Sequence, residues 1–169
     1  IPGSGWSSPV LVDGKLYLTT ATGTVEAADI SLRVICVDAE DGHIVWDVEA
    51  IRPDVEAAKA MRQKNSLASA TPIIDGDRVY AHFGHMGTAA LDLDGNVMWQ
   101  QTDVKYSPQH GNGGSPALVD DLLVFSCDGE EDPFIIALDT ATGKERWRTA
   151  RETEADKTFS FCTPVVIEV

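Results

Sequence analysis

Positive charge is scarce in this sequence. Lys and Arg total 13 against 27 Asp and Glu in 169 residues, a formal balance of −14, and such a surface repels nucleic-acid phosphates and anionic lipid headgroups. Nucleic acid and membrane-surface partners are therefore excluded. No apolar run approaches the roughly 18 residues that a bilayer span needs. No signal-peptide pattern precedes Ile1, and a chain opening on Ile reads as a processed product or an excised piece. Cysteine is also sparse: Cys36, Cys127 and Cys162 contain no CxxC pair, which removes zinc ribbons and thioredoxin-like redox sites. They read as small buried apolar side chains, with a Cys127–Cys162 disulfide left open if the protein is exported. What is present, 43% apolar and 24% charged residues, is enough for one globular domain with a sizeable core.

The chain repeats itself. "SSPVLVDGKLYLTTA" from Ser7, "SATPIIDGDRVYAHFG" from Ser69 and "GGSPALVDDLLVFSCDG" from Gly113 align, and "CTPVVIEV" from Cys162 begins the same way. Each full copy continues into a second unit: "VICVDAEDGHIVWDVE" from Val34, "AALDLDGNVMWQQT" from Ala89 and "IIALDTATGKERWRTA" from Ile135. Within a copy, four short runs rich in Val, Ile, Leu and Tyr alternate with turn signals. Asp13-Gly14, Asp75-Gly76, Asp41-Gly42, Asp94-Gly95 and Thr142-Gly143 suit tight hairpins, because Gly takes a positive φ without a Cβ penalty. Asp120-Asp121 departs from the pattern and suggests a different turn. The Pro of each SP or TP opens the first strand, where a missing amide donor breaks no ladder.

Repeats of about 40 to 50 residues built from four strands are propeller blades. The expected fold is all-β: blade 1 at about 7–50, blade 2 at about 69–102, blade 3 at about 113–150 and the first strand of a fourth blade at about 162–169. Between blades 1 and 2, residues 51–68 form an insertion. There "PDVEAAKAMRQKN" predicts a two- to three-turn helix with Asp54 as N-cap and Asn65 as a C-cap.

The second units resemble the tryptophan-docking motif AxDxxTGKxxW of quinoprotein propellers. Ala137, Asp139, Thr142, Gly143, Lys144 and Trp147 match it throughout. Blade 1 keeps Asp38, Gly42 and Trp46 but has Cys36, Asp41 and His43 elsewhere in the motif, and blade 2 keeps Ala90, Asp92, Gly95 and Trp99 with a turn one residue shorter. These residues read as structural: a tryptophan lying between neighbouring sheets buries roughly 200 Å² and brings its N–H to a backbone carbonyl, and removing Trp147 is expected to cost about 3–5 kcal/mol. The chain is similar to PQQ-like repeat propellers of the BamB type, notably bacterial, planctomycete-type PQQ-binding-like repeat proteins. That resemblance implies an exported protein. It also implies one of two functions, a cofactor-free scaffold or a dehydrogenase domain carrying PQQ and Ca²⁺ in an axial funnel. The adjacent cysteines that clamp the quinone in several such enzymes have no counterpart here.

Three blades and a strand do not close a propeller ring. The rest of the propeller is expected from a longer chain, or from copies assembling into a ring by strand addition. In propeller topology the tight A–B and C–D turns share one face, so the long B–C and D–A loops share the other, where binding residues tend to ride. Trp6, Asn65, His110, Asn112 and Phe159 each precede an innermost strand and are expected near the funnel mouth, as contacts for a peptide, glycan or small molecule. His82 and His85 form an HxxH pair at a strand end, also on this face, where strand-end hydrogen bonding or a metal with no evident third ligand is expected. Asp128, Glu130, Glu131 and Asp132 offer oxygen ligands to Ca²⁺ outside any EF-hand pattern. "QHGNGGSP" lacks the GKS or GKT of a phosphate loop and enters a strand, so its glycines read as a sharp climb into blade 3.

Overall fold

In the computed structural model, which describes residues 1–59 and 64–167, twelve strands form three separate four-stranded antiparallel sheets, each a meander in chain order. The first holds β1 (Val10–Val12), β2 (Lys15–Thr22), β3 (Ser31–Asp38) and β4 (Ile44–Ile51). The second holds β5 (Ile73–Asp75), β6 (Arg78–His82), β7 (Thr88–Asp92) and β8 (Val97–Gln101). The third holds β9 (Ala117–Val119), β10 (Leu122–Cys127), β11 (Phe134–Asp139) and β12 (Glu145–Ala150). Helix among the described residues is confined to α1 (Val55–Lys59) and a 3-10 turn at Gly84–Met86. The chain is an all-β partial propeller.

The hairpins follow from backbone sterics. Val12 pairs with Lys15, which leaves Asp13-Gly14 as a two-residue turn with both φ values positive, 47° and 74°. In the other two first hairpins the turns are Gly76-Asp77 and Asp120-Asp121, and only the leading residue has positive φ, 57° and 51°. Asp120 thus takes a place that Gly fills more cheaply, tolerated because a short polar side chain admits the left-handed region.

Strand periodicity shows why the middle sheet reads as nearly continuous apolar sequence. Successive side chains point to opposite faces, so Val79, Ala81, Ala89 and Leu91 pack into a core shared with Tyr17, Leu32 and Val34 of the first sheet. Tyr80 and Ala90 turn the other way into a core with Leu123, Phe125, Ile136 and Leu138 of the third. Both its faces are buried.

At each seam a tryptophan bridges sheets. Trp46 Nε1 donates to Leu93 O and Trp99 Nε1 to Thr140 O, both at 2.9 Å, and each acceptor directly follows an aspartate, Asp92 or Asp139. Those aspartates close their own turns: the Asp139 carboxylate accepts from the Thr142 hydroxyl at 2.8 Å, and that of Asp92 from the Asn96 amide at 2.8 Å. Opposite each tryptophan stands a small residue, Cys36, Ala90 or Ala137, and the strand register slips just after it in all three sheets.

A second line of bonds runs along the starts of the inner strands. Ser8 N–H donates to Thr71 Oγ1 at 3.2 Å, Thr71 N–H to Ser115 Oγ at 2.9 Å, and Ser115 N–H to Thr163 Oγ1 at 2.9 Å. These are the residues just before each SP or TP proline. Thr163 therefore takes its place in this line although Cys162–Ile167 carries no strand ladder and leaves Val165 and Ile167 largely exposed; residues 168–169 lie outside the description.

The insertion opens on a helix, as its composition suggests. Asp54 Oδ1 does accept the Glu56 N–H at 2.9 Å, but α1 is described only over Val55–Lys59, and the remainder of the expected helix falls on residues 60–63, outside the described residues. The Asn65 side-chain amide reaches across to His110 O. The three cysteines are free, Cys36 and Cys127 buried and Cys162 exposed, so Cys127 and Cys162 form no disulfide.

Candidate functional site

Antiparallel meanders put every tight turn at one end of each sheet, so the segments 23–30, 52–59, 64–72, 83–87, 102–116, 128–133 and 151–164 gather at the other end. This loop face receives the candidates, and the structure divides them into three groups.

The first is an aromatic and amide cluster. Asn65 N–H and Nδ2 both donate to His110 O, at 3.1 and 3.2 Å. The His110 ring stands edge-on to Phe159 with centroids 5.0 Å apart, and Phe161 lies 5.9 Å from Phe159. The glycines before blade 3 make this approach possible: a Cβ on Gly113 would lie 3.1 Å from both Asn65 Nδ2 and Phe161, and one on Gly114 only 2.4 Å from Cys162 O. Asn65 also lines a cavity of about 510 Å³ with Trp6, Val25, Ile30 and Ser66. Trp6 is 64% exposed at its rim, anchored through its backbone N–H to Ala68 O at 2.9 Å.

The second group is buried. His82 and His85 are 1% and 4% exposed, so neither presents a surface to a partner. His82 Nδ1 lies 2.8 Å from Thr88 Oγ1 and its ring 4.2 Å from that of Phe125. Burial lowers its pKa to about 3, and the neighbouring His85 adds to the effect. His85 Nε2 lies 2.7 Å from Ala57 O, and burial lowers its pKa in spite of that bond. Asn112 is half-buried beside them, with Nδ2 donating to Gly114 O at 2.8 Å and its Cβ 2.5 Å from where a Cβ on Gly84 would sit. Sequence reasoning passed over Tyr106, whose ring meets His85 edge-on at 6.1 Å and whose hydroxyl, held protonated by burial, packs against Gly84. Nothing in its local sequence marks it.

The acidic loop forms the third group, and it does not converge on a cation. Asp128 is buried and pairs with Arg151 and with the Ser160 hydroxyl, while Glu130, Glu131 and Asp132 are exposed. Together with the Thr158 hydroxyl, which donates to Gly129 O at 2.6 Å, these contacts tie the 151–161 segment to the third sheet. Among the described residues, the acidic and imidazole side chains that do converge are Asp38, Asp41 and His43. They lie in an exposed tight turn at the opposite end of the blade, where Asp41 raises the His43 pKa by hydrogen bonding.

A family profile described as "Outer membrane protein assembly factor BamB" matches residues 2–166. The chain belongs to this BamB-type family of PQQ-like repeat propellers. It is 28% identical over 156 residues to the 1-butanol dehydrogenase (quinone) of Thauera butanivorans, a match covering 85% of this chain and 22% of that protein. Among solved structures, the quinohemoprotein alcohol dehydrogenase ADHIIG of Pseudomonas putida HK5 superposes with a TM-score of 0.67 at 23% identity, covering 88% of this chain and 21% of its own. BamB of Moraxella catarrhalis gives 0.57 at 24% identity, covering 98% and 44%. This chain therefore spans about a fifth of the curated relative's length.

The residues described here do not fit a quinone and Ca²⁺ cradle. Cys36 and Cys127 are buried in different sheets, Asp128 is engaged by Arg151 and Ser160, and the convergent group around His43 faces away from the loop end.

Proposed function

We propose that the chain is part of the propeller of an exported bacterial protein, serving as a non-catalytic binding or scaffold module. In this reading Trp46, Trp99 and Trp147, with Asp38, Gly42, Asp92, Gly95, Asp139 and Gly143, dock blade onto blade, and the remaining blades come from elsewhere in a longer chain. Ligand or partner contacts fall on the loop face. The observation that carries this is Trp6, a large aromatic exposed at the rim of a cavity that also holds Asn65. An aromatic face beside polar groups suits a peptide, glycan or small molecule. Export is supported by the outer-membrane assembly factor that the family is named for.

The full-length protein, screened against peptide and glycan arrays, should retain a ligand that Trp6→Ala and Asn65→Ala each weaken by roughly tenfold or more. Binding indifferent to both changes removes the loop-face site. The resemblance to a quinone-dependent alcohol dehydrogenase favours a second reading, a PQQ-dependent domain. Reconstituting the full-length protein with PQQ and Ca²⁺ separates the two: a quinone absorbance shift with dye-linked alcohol oxidation establishes the enzyme and overturns the scaffold.

A further inference from the structure

The seam between the second and third sheets contains polar atoms that the fold leaves unused. His82 Nε2, His85 Nδ1 and the Tyr106 hydroxyl are all buried, and none has a hydrogen-bond partner. Buried polar atoms are almost always paired, so three unpaired ones at one seam call for a shared partner. Both sheets that enclose them belong to this chain, which sets the place apart from its open edges.

The anchored nitrogens determine what the unused ones offer. A carbonyl only accepts, so the contact of His85 Nε2 with Ala57 O, at 2.7 Å, places a proton on Nε2. In the neutral ring that leaves a lone pair on Nδ1. His82 Nδ1 lies 2.8 Å from Thr88 Oγ1, a hydroxyl that can accept as well as donate; in the tautomer where it accepts from Nδ1–H, the lone pair on Nε2 is left for a ligand. One ring nitrogen held by a hydroxyl or carbonyl while the other points into a closed interior is how metal-binding imidazoles are oriented. The two histidines flank Gly84 at the junction of β6 with the 3-10 turn, and the Tyr106 hydroxyl lies 3.2 Å from where a Cβ on Gly84 would be.

We propose that His82 Nε2 and His85 Nδ1 form a two-imidazole site for a divalent cation of the zinc class, with water filling the remaining coordination positions and the Tyr106 hydroxyl as hydrogen-bond partner of one such water. Imidazole nitrogen suits zinc and copper over calcium or magnesium, which separates this site from the Ca²⁺ of quinone enzymes. The proposal is independent of any ligand on the loop face. Its role is structural: the ion joins the end of β6, the 3-10 turn and the loop that carries Tyr106.

The test uses the full-length protein, stripped with chelator and then titrated with ZnCl₂. Uptake of one Zn²⁺ at this site should raise the melting temperature. His82→Gln and His85→Gln should each weaken it by roughly tenfold or more, while His43→Ala, which disrupts the exposed turn group, should leave it unchanged. Because the glutamine variants risk unfolding, the Cu²⁺-loaded wild type supplies a readout without mutation: its electron paramagnetic resonance spectrum should show coupling to two imidazole nitrogens. No uptake, which leaves water as the occupant, overturns the proposal. So does uptake that survives both glutamine changes in folded protein, uptake lost in His43→Ala, or a copper spectrum without nitrogen coupling.

Discussion

Two kinds of blade face occur in this chain. At the closed seams, Trp46 and Trp99 donate to carbonyls of the next sheet and lie over its turn glycines: a Cβ on Gly95 would be 3.1 Å from the Trp46 ring, and one on Gly143 2.4 Å from that of Trp99. At the open faces, Trp147 is 40% exposed and a Cβ on Gly42 would meet nothing within 4 Å. Yet the blade carrying Trp147 matches the repeat motif at every position. The contrast teaches that the motif specifies a half-interface, and that its energy appears only when a neighbouring turn brings the complementary half. An expectation of about 3–5 kcal/mol for Trp147 holds where a further blade covers it and overstates its worth in this chain.

The largest test of that contrast is a pair of tryptophan deletions in this chain. Trp99→Ala should lower unfolding stability by about 3–5 kcal/mol, while Trp147→Ala should cost about 1 kcal/mol because much of its ring is already in water; equal urea midpoints for the two would break the comparison. Next come the glycines. Gly143→Ala combines a φ of 69° with overlap against Trp99, and should cost about 3 kcal/mol. Gly42→Ala meets only the left-handed backbone penalty, about 1 kcal/mol.

A smaller effect depends on pH and belongs to the closed seam alone. The folded pKa of His82 is lowered from 6.5 to about 3, so below 6.5 the unfolded chain takes up a proton that the folded chain refuses. Stability from this group is intact above pH 6.5 and falls by about 1.4 kcal/mol per pH unit as pH drops toward 3. Urea midpoints measured with chelator present should fall between pH 7 and pH 5, and His82→Gln should flatten the decline. The smallest effect lies in a turn remote from any seam: Asp120→Gly removes a non-glycine φ of 51° and should add about 0.5–1 kcal/mol.

Much of the fold was legible because each blade repeats its punctuation. The SP or TP, the turn glycine and the tryptophan mark strand order without knowledge of any distant contact, and the alternation of apolar residues supplies the faces. The candidate site was less so. HxxH spacing marks His82 and His85 but not their burial, which follows from Phe125, Thr88 and Ala57, one in another sheet and one in the insertion. The acidity of the loop at Asp128 is plain in the sequence, whereas Arg151 and Ser160, which claim its carboxylate, lie beyond a whole hairpin. Asn65 and His110 stand in separate loops of the sequence; that one grips the other depends on how adjacent sheets are set side by side. The inner line of Ser8, Thr71, Ser115 and Thr163 is present in each SP and TP, but its bonds join residues 44 to 63 positions apart, which no local pattern marks.

That inner line has a direction. Each backbone amide gives to the hydroxyl one blade further along and none gives backward, so the row works like a set of one-way couplings. A blade arriving in the same sense extends it with one new bond. A blade arriving reversed would set amide against amide and hydroxyl against hydroxyl. Hydrogen bonds in series polarise one another, and a complete circle is the arrangement in which no coupling lacks a mate. The hydroxyl before each of the later prolines thereby gives the propeller a sense of rotation, and supplies a local rule, carried by three small side chains, for which end of one segment joins which end of the next.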